Sequence, residues 1–279
     1  MNLEEKNQRL GQILEDLGRV VVAYSGGVDS AFLLRSAVDT LGAENVLACI
    51  SAGDSEPSHQ LVRAAEMAAA MGVELRTVET DELGDPNFVA NQADRCFHCK
   101  SHLCETLLEI AEAGGYGHVV FGTNHDDLSD FRPGNKALAN FGVRSPLAEA
   151  ELAKDDIRAL SRALGLPTAD MPSSPCLASR ISYGLEVTAA RLKQVGEAEA
   201  FLRGLGFVEF RVRHHDRVAR IEVPADEIER LAAEPLRSQV VEKLKSLGFR
   251  FVAVDLQGFR SGALNESLSD EQKRLSMEK

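Results

Sequence analysis

The sequence predicts an α/β fold, a parallel sheet with helices on both faces, followed by a small C-terminal α+β domain. Three observations predict it. Short apolar runs alternate with helical segments from residue 19 to about residue 165, a glycine-rich turn ends the first of those runs, and beyond a proline-rich break the pattern becomes a β-hairpin flanked by helices. Residues 3–17 read as a capped amphipathic helix. Residues 19–24, Arg-Val-Val-Val-Ala-Tyr, read as a buried strand running into Ser25-Gly26-Gly27-Val28-Asp29-Ser30 and a helix from Ser30. Strands follow at 46–51, 73–78 and 118–122, with helices through 59–71 and from about residue 99. Right-handed crossovers between parallel strands place ligands at the strands' carboxyl ends. The turn at 25–30 and the segment Gly122-Thr123-Asn124-His125-Asp126-Asp127 both belong at such ends.

The stretch 166–176, with Pro167, Pro172 and Pro175, breaks the alternation and reads as a functional loop between domains. Beyond it come a helix over 188–205, a strand over 207–213, a turn around His215 and Asp216 and a strand over 218–223. Two helices, a strand over 251–256 and a polar, frayed tail after about residue 262 complete the chain. Alternation puts Arg211 and Arg213 on one face of their strand and Phe210 and Val212 on the other. The expected organisation is a nucleotide domain at 1–167, a cysteine-bearing loop and linker at 168–187, and a small substrate-binding or oligomerisation domain at 188–279.

With 279 residues, 44% of them apolar and 27% charged, the chain has the composition of a water-soluble globular protein. No basic leader with an apolar stretch and no run of membrane-spanning length is present, so a cytoplasmic location and no membrane partner are expected. The formal net charge of −12 argues against a nucleic-acid partner, because binding the phosphate backbone needs clustered cations. Five cysteines, an odd number in a chain that needs no staples, point to thiols or metal ligands in a reducing compartment.

Two glycines at 26 and 27 let the backbone approach a ligand closely, and the N–H groups at the helix start form a nest for an anion. No Gly-Lys-Ser/Thr follows, so this is not the loop whose lysine reaches β- and γ-phosphates. It resembles instead the SGGxDS loop of the ATP pyrophosphatases, which split ATP between the α- and β-phosphates. Cys96-Phe97-His98-Cys99, read as standing just before a helix, has ligand spacing, and a third thiol, Cys176, lies in the proline-rich loop with Arg180 near enough to stabilise a thiolate. Cys49, inside an apolar strand, and Cys104, one helical turn from Leu107 and Leu108, read as core.

The loop at 25–30, the segment at 122–127 and above all Ser174-Pro175-Cys176-Leu177-Ala178-Ser179-Arg180-Ile181 resemble the LarE family of ATP-dependent sulfur transferases over about residues 5–262. The resemblance implies a Rossmann-like nucleotide domain in which Ser25, Gly26, Gly27, Asp29, Ser30, Gly122, Thr123, Asn124 and Asp127 bind ATP. Asp29 places magnesium, and Cys176, Asp29 and Ser30 are catalytic. It further implies adenylation of the carboxylates of a small-molecule substrate, pyridinium-3,5-biscarboxylic acid mononucleotide, and their conversion to thiocarboxylates for the nickel-pincer cofactor of lactate racemase. Arg211 and Arg213, joined by resemblance with Arg260, would grip the substrate's phosphate. Glu199 and Glu222 are weak candidates for a metal nearby. A homo-oligomer is expected on the same ground.

Family members differ in their sulfur chemistry. In one version a cysteine at the position of Cys176 gives up its own sulfur. In the other, a CxxC pair joins that cysteine to hold a [4Fe–4S] cluster with one open iron. Cys96, Cys99 and Cys176 match the cluster version, with a sulfide source the sequence does not identify. Four readings stay beside it: Cys176 as sacrificial donor, a structural zinc site, an ammonia-dependent adenylating ligase such as NAD synthetase, and a tRNA thiolase.

Overall fold

Val20–Ala23 (β1) is apolar at every position, which suits a strand covered on both faces and paired along both edges. The computed structural model describes residues 1–172 and 174–278. In chain order the elements are α1 (Leu3–Leu17), β1, α2 (Val28–Leu41), β2 (Val46–Ser51), α3 (Ser58–Ala70), β3 (Glu74–Val78), the single turn α4 (Pro86–Val89), α5 (Arg95–Gly114) and β4 (His118–Phe121). There follow α6 (Pro133–Asn140), the single turn α7 (Pro146–Glu149), α8 (Lys154–Ala163), α9 (Ala189–Gly204), β5 (Arg211–His215) and β6 (Val218–Glu222). The last are α10 (Ile228–Ala232), α11 (Leu236–Ser246), β7 (Phe251–Val254) and α12 (Asp270–Glu278).

The chain divides into two units, one made of Met1–Glu82 and Cys96–Ser174, the other of Leu83–Arg95 and the chain from Pro175 onward. In the first, four parallel strands run in the order β3-β2-β1-β4, as the fold class requires. Period-2 alternation separates two cores. Val20, Val22, Ala48, Ile50 and Val120 pack on one face with Leu10, Leu14, Phe32, Leu33 and Ile157 from the helices. Val21, Leu47, Cys49, Val119 and Phe121 pack on the other with Cys104 and Leu107. α1 is closed at its start by a capping box, in which the Glu5 N–H donates to Asn2 Oδ1 at 2.9 Å and the Asn2 N–H to Glu5 Oε2 at 2.8 Å. The chain lays down β1, β2 and β3 to one side and then places β4 on the opposite edge of β1. The strand order therefore reverses between β1 and β4, and the crevice beyond their carboxyl ends is where such sheets bind ligands.

The second unit is a sheet in the order β5-β6-β7, with an antiparallel hairpin and a parallel third strand. One face carries Val212, Ala219 and Ile221 against Ala198, Leu202, Val240 and Leu244. Leu83–Arg95 belongs here through Asn91, fully buried, whose side-chain amide donates to the carbonyls of Ser182 and Leu185 at 2.8 Å and of Ile181 at 3.3 Å.

Three details depart from the expected elements. β5 begins at Arg211 rather than 207, because the Phe207 N–H closes the end of α9 on the Leu202 carbonyl while Phe207 and Phe210 turn into the core. The tail after 262 is ordered into a 3-10 turn at Ala263–Ser267 and α12, which Ser269 and Gln272 start with a reciprocal box: the Gln272 N–H donates to Ser269 Oγ, the Ser269 N–H to Gln272 Oε1. α5 opens at Arg95, so Cys96 and Cys99 lie within its first turns instead of ahead of it.

Candidate active site

The turn after β1 brings the backbone round in a left-handed step at Gly26, φ 71°, where a Cβ would also stand 2.9 Å from Ala64 Cβ. Only glycine meets both conditions. Gly27 is the N-cap of α2 and has no side chain to cap it, which leaves the first N–H groups of a 14-residue helix directed at the crevice. Ser30 holds the turn from inside: its Oγ accepts the Ser25 N–H at 3.1 Å, lies 3.0 Å from Ser25 Oγ and donates to the Gly27 carbonyl at 3.3 Å. At the end of β4, Gly122 packs so closely on α2 that a Cβ there would meet the Ser30 backbone nitrogen at 2.9 Å. The two predicted loops therefore touch.

Asn124 and Asp127 lock the second loop, the Asp127 N–H donating to Asn124 Oδ1 at 3.1 Å and the Asn124 N–H to Asp127 Oδ2 at 3.2 Å. Burial raises the pKa of Asp127, an effect that Arg132, 2.8 Å away, partly offsets. Thr123 contributes its carbonyl, which accepts the Ala148 N–H at 3.1 Å. Asp29, in the first turn of α2, has one carboxylate oxygen 2.6 Å from Lys154 Nζ, while the other, Oδ1, is buried with no hydrogen-bond partner among the described residues. A buried acceptor beside an anion nest fits a magnesium ion accompanying a nucleotide phosphate. Tyr24, directly before the loop, is buried to the point that its pKa is pushed up to about 12.

The five cysteines sort by environment. Cys49 and Cys104 are buried and burial lifts each to about 11, so they are packing residues as expected. Cys96 is exposed, and Cys99 and Cys176 are half-buried. Cys96 and Cys99, three apart on α5, share one helix face. The Cys99 thiol donates to Glu82 Oε1 at 3.0 Å, and Ser55 Oγ donates to the other oxygen of this buried carboxylate at 2.6 Å. Cys176, in the second unit, precedes a 3-10 turn at Leu177–Arg180, and its carbonyl accepts the Ser179 N–H at 3.0 Å. Among the described residues no group of three or more His, Cys, Asp and Glu side chains is drawn together for a metal ion.

Arg180, expected to face a thiolate, has its guanidinium fixed on Glu199 at 2.8 and 3.0 Å and on the carbonyls of Pro175 at 2.6 Å and Cys176 at 3.2 Å. Its part is to hold the backbone of the cysteine loop. Arg213 and Glu222 form a second buried bidentate pair at 2.8 and 3.0 Å, and Arg220 also reaches Glu222 at 3.1 Å. Arg211 is buried, its guanidinium carbon 4.9 Å from the centre of the Phe259 ring, and burial followed by repulsion from Arg180 lowers it to about 10. Arg260 is paired with Glu266 at 3.1 Å. Glu199 and Glu222, the acids considered for a metal, are thus each engaged by an arginine.

Lys154, Arg132 and Glu82 escaped the reading of the sequence. Lys154 left one signal: it is a cation in the first turn of a helix, where the helix dipole disfavours positive charge.

Residues 5–177 match the family model described as NAD synthase. The chain is 38% identical over 270 residues, 97% of each chain, to pyridinium-3,5-bisthiocarboxylic acid mononucleotide synthase of Lactiplantibacillus plantarum. It is 42% identical over 267 residues, 96% of this chain and 99% of the other, to an uncharacterised protein of Synechocystis. With an NH3-dependent NAD+ synthetase of Methanococcoides burtonii it shares 27% over 182 residues, 60% of this chain and 65% of that one. The two long matches span nearly the whole chain; the family model ends at residue 177, ahead of α9 and the second sheet, and the synthetase match covers 60% of the chain.

Two outcomes follow from this geometry. Iodoacetamide at pH 7.5 should label Cys96 in the folded protein but reach Cys49 and Cys104 only after unfolding, since a thiol with a pKa of about 11 is less than ~0.1% thiolate at that pH. Peptide mass mapping checks this, and equal labelling of all three contradicts it. Arg213→Ala leaves a fully buried Glu222 carboxylate with Arg220 alone, and should lower unfolding stability by about 3 kcal/mol. Arg213→Met with Glu222→Met should regain most of that in urea titrations; an Arg213→Ala protein as stable as the parent would show that the pair is not structural.

Proposed function

The chain belongs to the LarE family of ATP-dependent sulfur transferases, whose nucleotide unit matches the NAD synthase model, and we propose that it converts the carboxylates of pyridinium-3,5-biscarboxylic acid mononucleotide to thiocarboxylates for the nickel-pincer cofactor. The observation that carries this reading is the match over 97% of both chains, which takes in the cysteine loop and the second unit as well as the nucleotide loops. The NAD synthase model stops at residue 177 and the NAD+ synthetase match covers 60% of the chain, so neither spans it as the sulfur-transferase match does.

In this reading Ser25, Gly26, Gly27, Asp29, Ser30, Gly122, Thr123, Asn124 and Asp127 form the ATP site. The first N–H groups of α2, which no side chain caps, hold the β- and γ-phosphates as the leaving pyrophosphate. A substrate carboxylate oxygen attacks the α-phosphorus, the α–β bridging bond breaks, and pyrophosphate departs with the bond's electron pair. Asp29, with its unpartnered oxygen, is the residue to hold magnesium, which screens the phosphate charge when bound. Sulfide then adds to the activated carbonyl and AMP leaves, so that one oxygen is replaced by one sulfur and no electron is gained or lost.

Cys96, Cys99 and Cys176 suit a [4Fe–4S] cluster in their chemistry: three thiols outside the core, two of them on one helix face. Cys96, Cys99 and Cys176 would be its ligands, and the chemistry such a cluster would supply is delivery of sulfide to the activated carboxylate. Arg211, Arg213 and Arg260 are proposed to receive the substrate's phosphate in the small domain, which with the loop at 168–187 follows the nucleotide domain at 1–167. What supports this role is the buried guanidinium of Arg211, repelled by Arg180 and Arg213, which an anion would relieve. A cytoplasmic enzyme assembling as a homo-oligomer completes the reading; no helix among the described residues is long and apolar enough to cross a membrane.

Anaerobic protein given ATP, magnesium, sulfide and the dicarboxylated mononucleotide should yield product heavier by the difference between sulfur and oxygen at each carboxylate. More than one product should form per chain, with Cys176 unchanged in mass, and Cys96→Ser or Cys99→Ser should lose most bound iron. A spent chain lighter by the elements of hydrogen sulfide at Cys176 would replace the cluster with sacrificial donation. An amide formed from ammonia, with no sulfur transferred, would overturn the transferase reading.

A further inference from the structure

Lys154 is held at both ends by the two nucleotide loops. Its backbone N–H donates to Asp126 Oδ2 at 2.8 Å, and its ammonium lies 2.6 Å from Asp29 Oδ2, with the lysine side chain 30% and the aspartate 22% exposed. A lysine in the first turn of a helix gains nothing from the helix dipole, so its placement is explained by Asp29. Carboxylates outnumber cations around it: Asp29, Asp126 and Asp127 face Lys154 and Arg132, and Arg132 is shared with Asp130.

We propose that Lys154 is the displaceable counter-ion of the metal site, a positioning residue that keeps Asp29 from taking a divalent cation until nucleotide arrives with it. This rests on the reading of Asp29 as the magnesium-placing residue. A divalent ion entering alone meets a carboxylate with one oxygen already paired with Lys154, so it must compete with the ammonium. ATP arriving with the metal adds about four negative charges. These offset both the metal and the ammonium freed from Asp29, so metal and nucleotide bind cooperatively. When pyrophosphate and metal leave, Lys154 returns to Asp29. The device favours loading of the metal–nucleotide complex over metal alone, which adds nothing to catalysis and occupies the carboxylate.

The test measures manganese binding by the electron paramagnetic resonance signal of the free ion, on the full chain, with and without α,β-methylene ATP. The parent should bind Mn2+ weakly alone and at least about tenfold more tightly with the analogue, within the usual range of coupling between two ligands. Lys154→Met should bind Mn2+ alone about tenfold more tightly than the parent and lose most of the enhancement, whereas Lys154→Arg, which keeps the charge, should behave as the parent. Circular dichroism melting checks that each variant is folded. Asp29→Asn should bind Mn2+ poorly in both conditions. If Asp29→Asn binds poorly but folded Lys154→Met matches the parent in affinity and enhancement, the counter-ion role is wrong and the metal assignment stands. If Asp29→Asn binds Mn2+ as the parent does, the metal assignment fails and the counter-ion role fails with it.

Discussion

The first unit depends on a close approach: the backbone of Gly122 lies where a Cβ would be 2.9 Å from the Ser30 nitrogen. β4 and β1 are adjacent parallel strands, and their carboxyl ends are the one place in this sheet where the winding direction changes. Because the glycine lets the two ends meet, the uncapped start of α2, the locked Asn124–Asp127 loop and the Asp29 carboxylate, one oxygen of which has no hydrogen-bond partner among the described residues, lie together at one end of the sheet. The sheet supplies rigidity and the loops supply chemistry.

The second unit solves a different problem. The face of its hairpin opposite the aromatic and aliphatic core carries arginines that strand alternation alone would send to solvent, yet Arg211 and Arg213 are buried. A bidentate pair with Glu222 makes the burial of Arg213 tolerable, as Glu199 does for Arg180, while Arg211 donates to the Phe210 carbonyl at 2.6 Å and lies over the Phe259 ring. Arg180 uses its remaining donors on the carbonyls ahead of and at Cys176. The electrostatics of the core are thereby tied to the geometry of the loop bearing the chemically interesting thiol.

Much of this was legible in the sequence. Val20–Ala23 announced a doubly covered strand, Gly26 and Gly27 a tight turn into a helix, and the neighbours of Cys49 and Cys104 told them apart from the other thiols. What stayed hidden depended on distance in the chain. Nothing local marks Lys154, 125 residues from Asp29, as that residue's partner, and nothing local marks Glu82 as the acceptor for Cys99. The burial of the hairpin arginines was hidden for the same reason: alternation says which face a side chain takes, and only tertiary packing says whether that face is wet. The ordered tail carried a readable cap in Ser269 and Gln272 that its polar composition obscured.

The central claim is that this site activates a carboxylate by splitting ATP between its α- and β-phosphates. The most direct test is chromatography of the products from ATP labelled separately at the α- and γ-positions, with and without the pyridinium dicarboxylate. The account predicts labelled AMP and labelled pyrophosphate, formed together and only when the dicarboxylate is present. Labelled ADP and inorganic phosphate as the main products would contradict it.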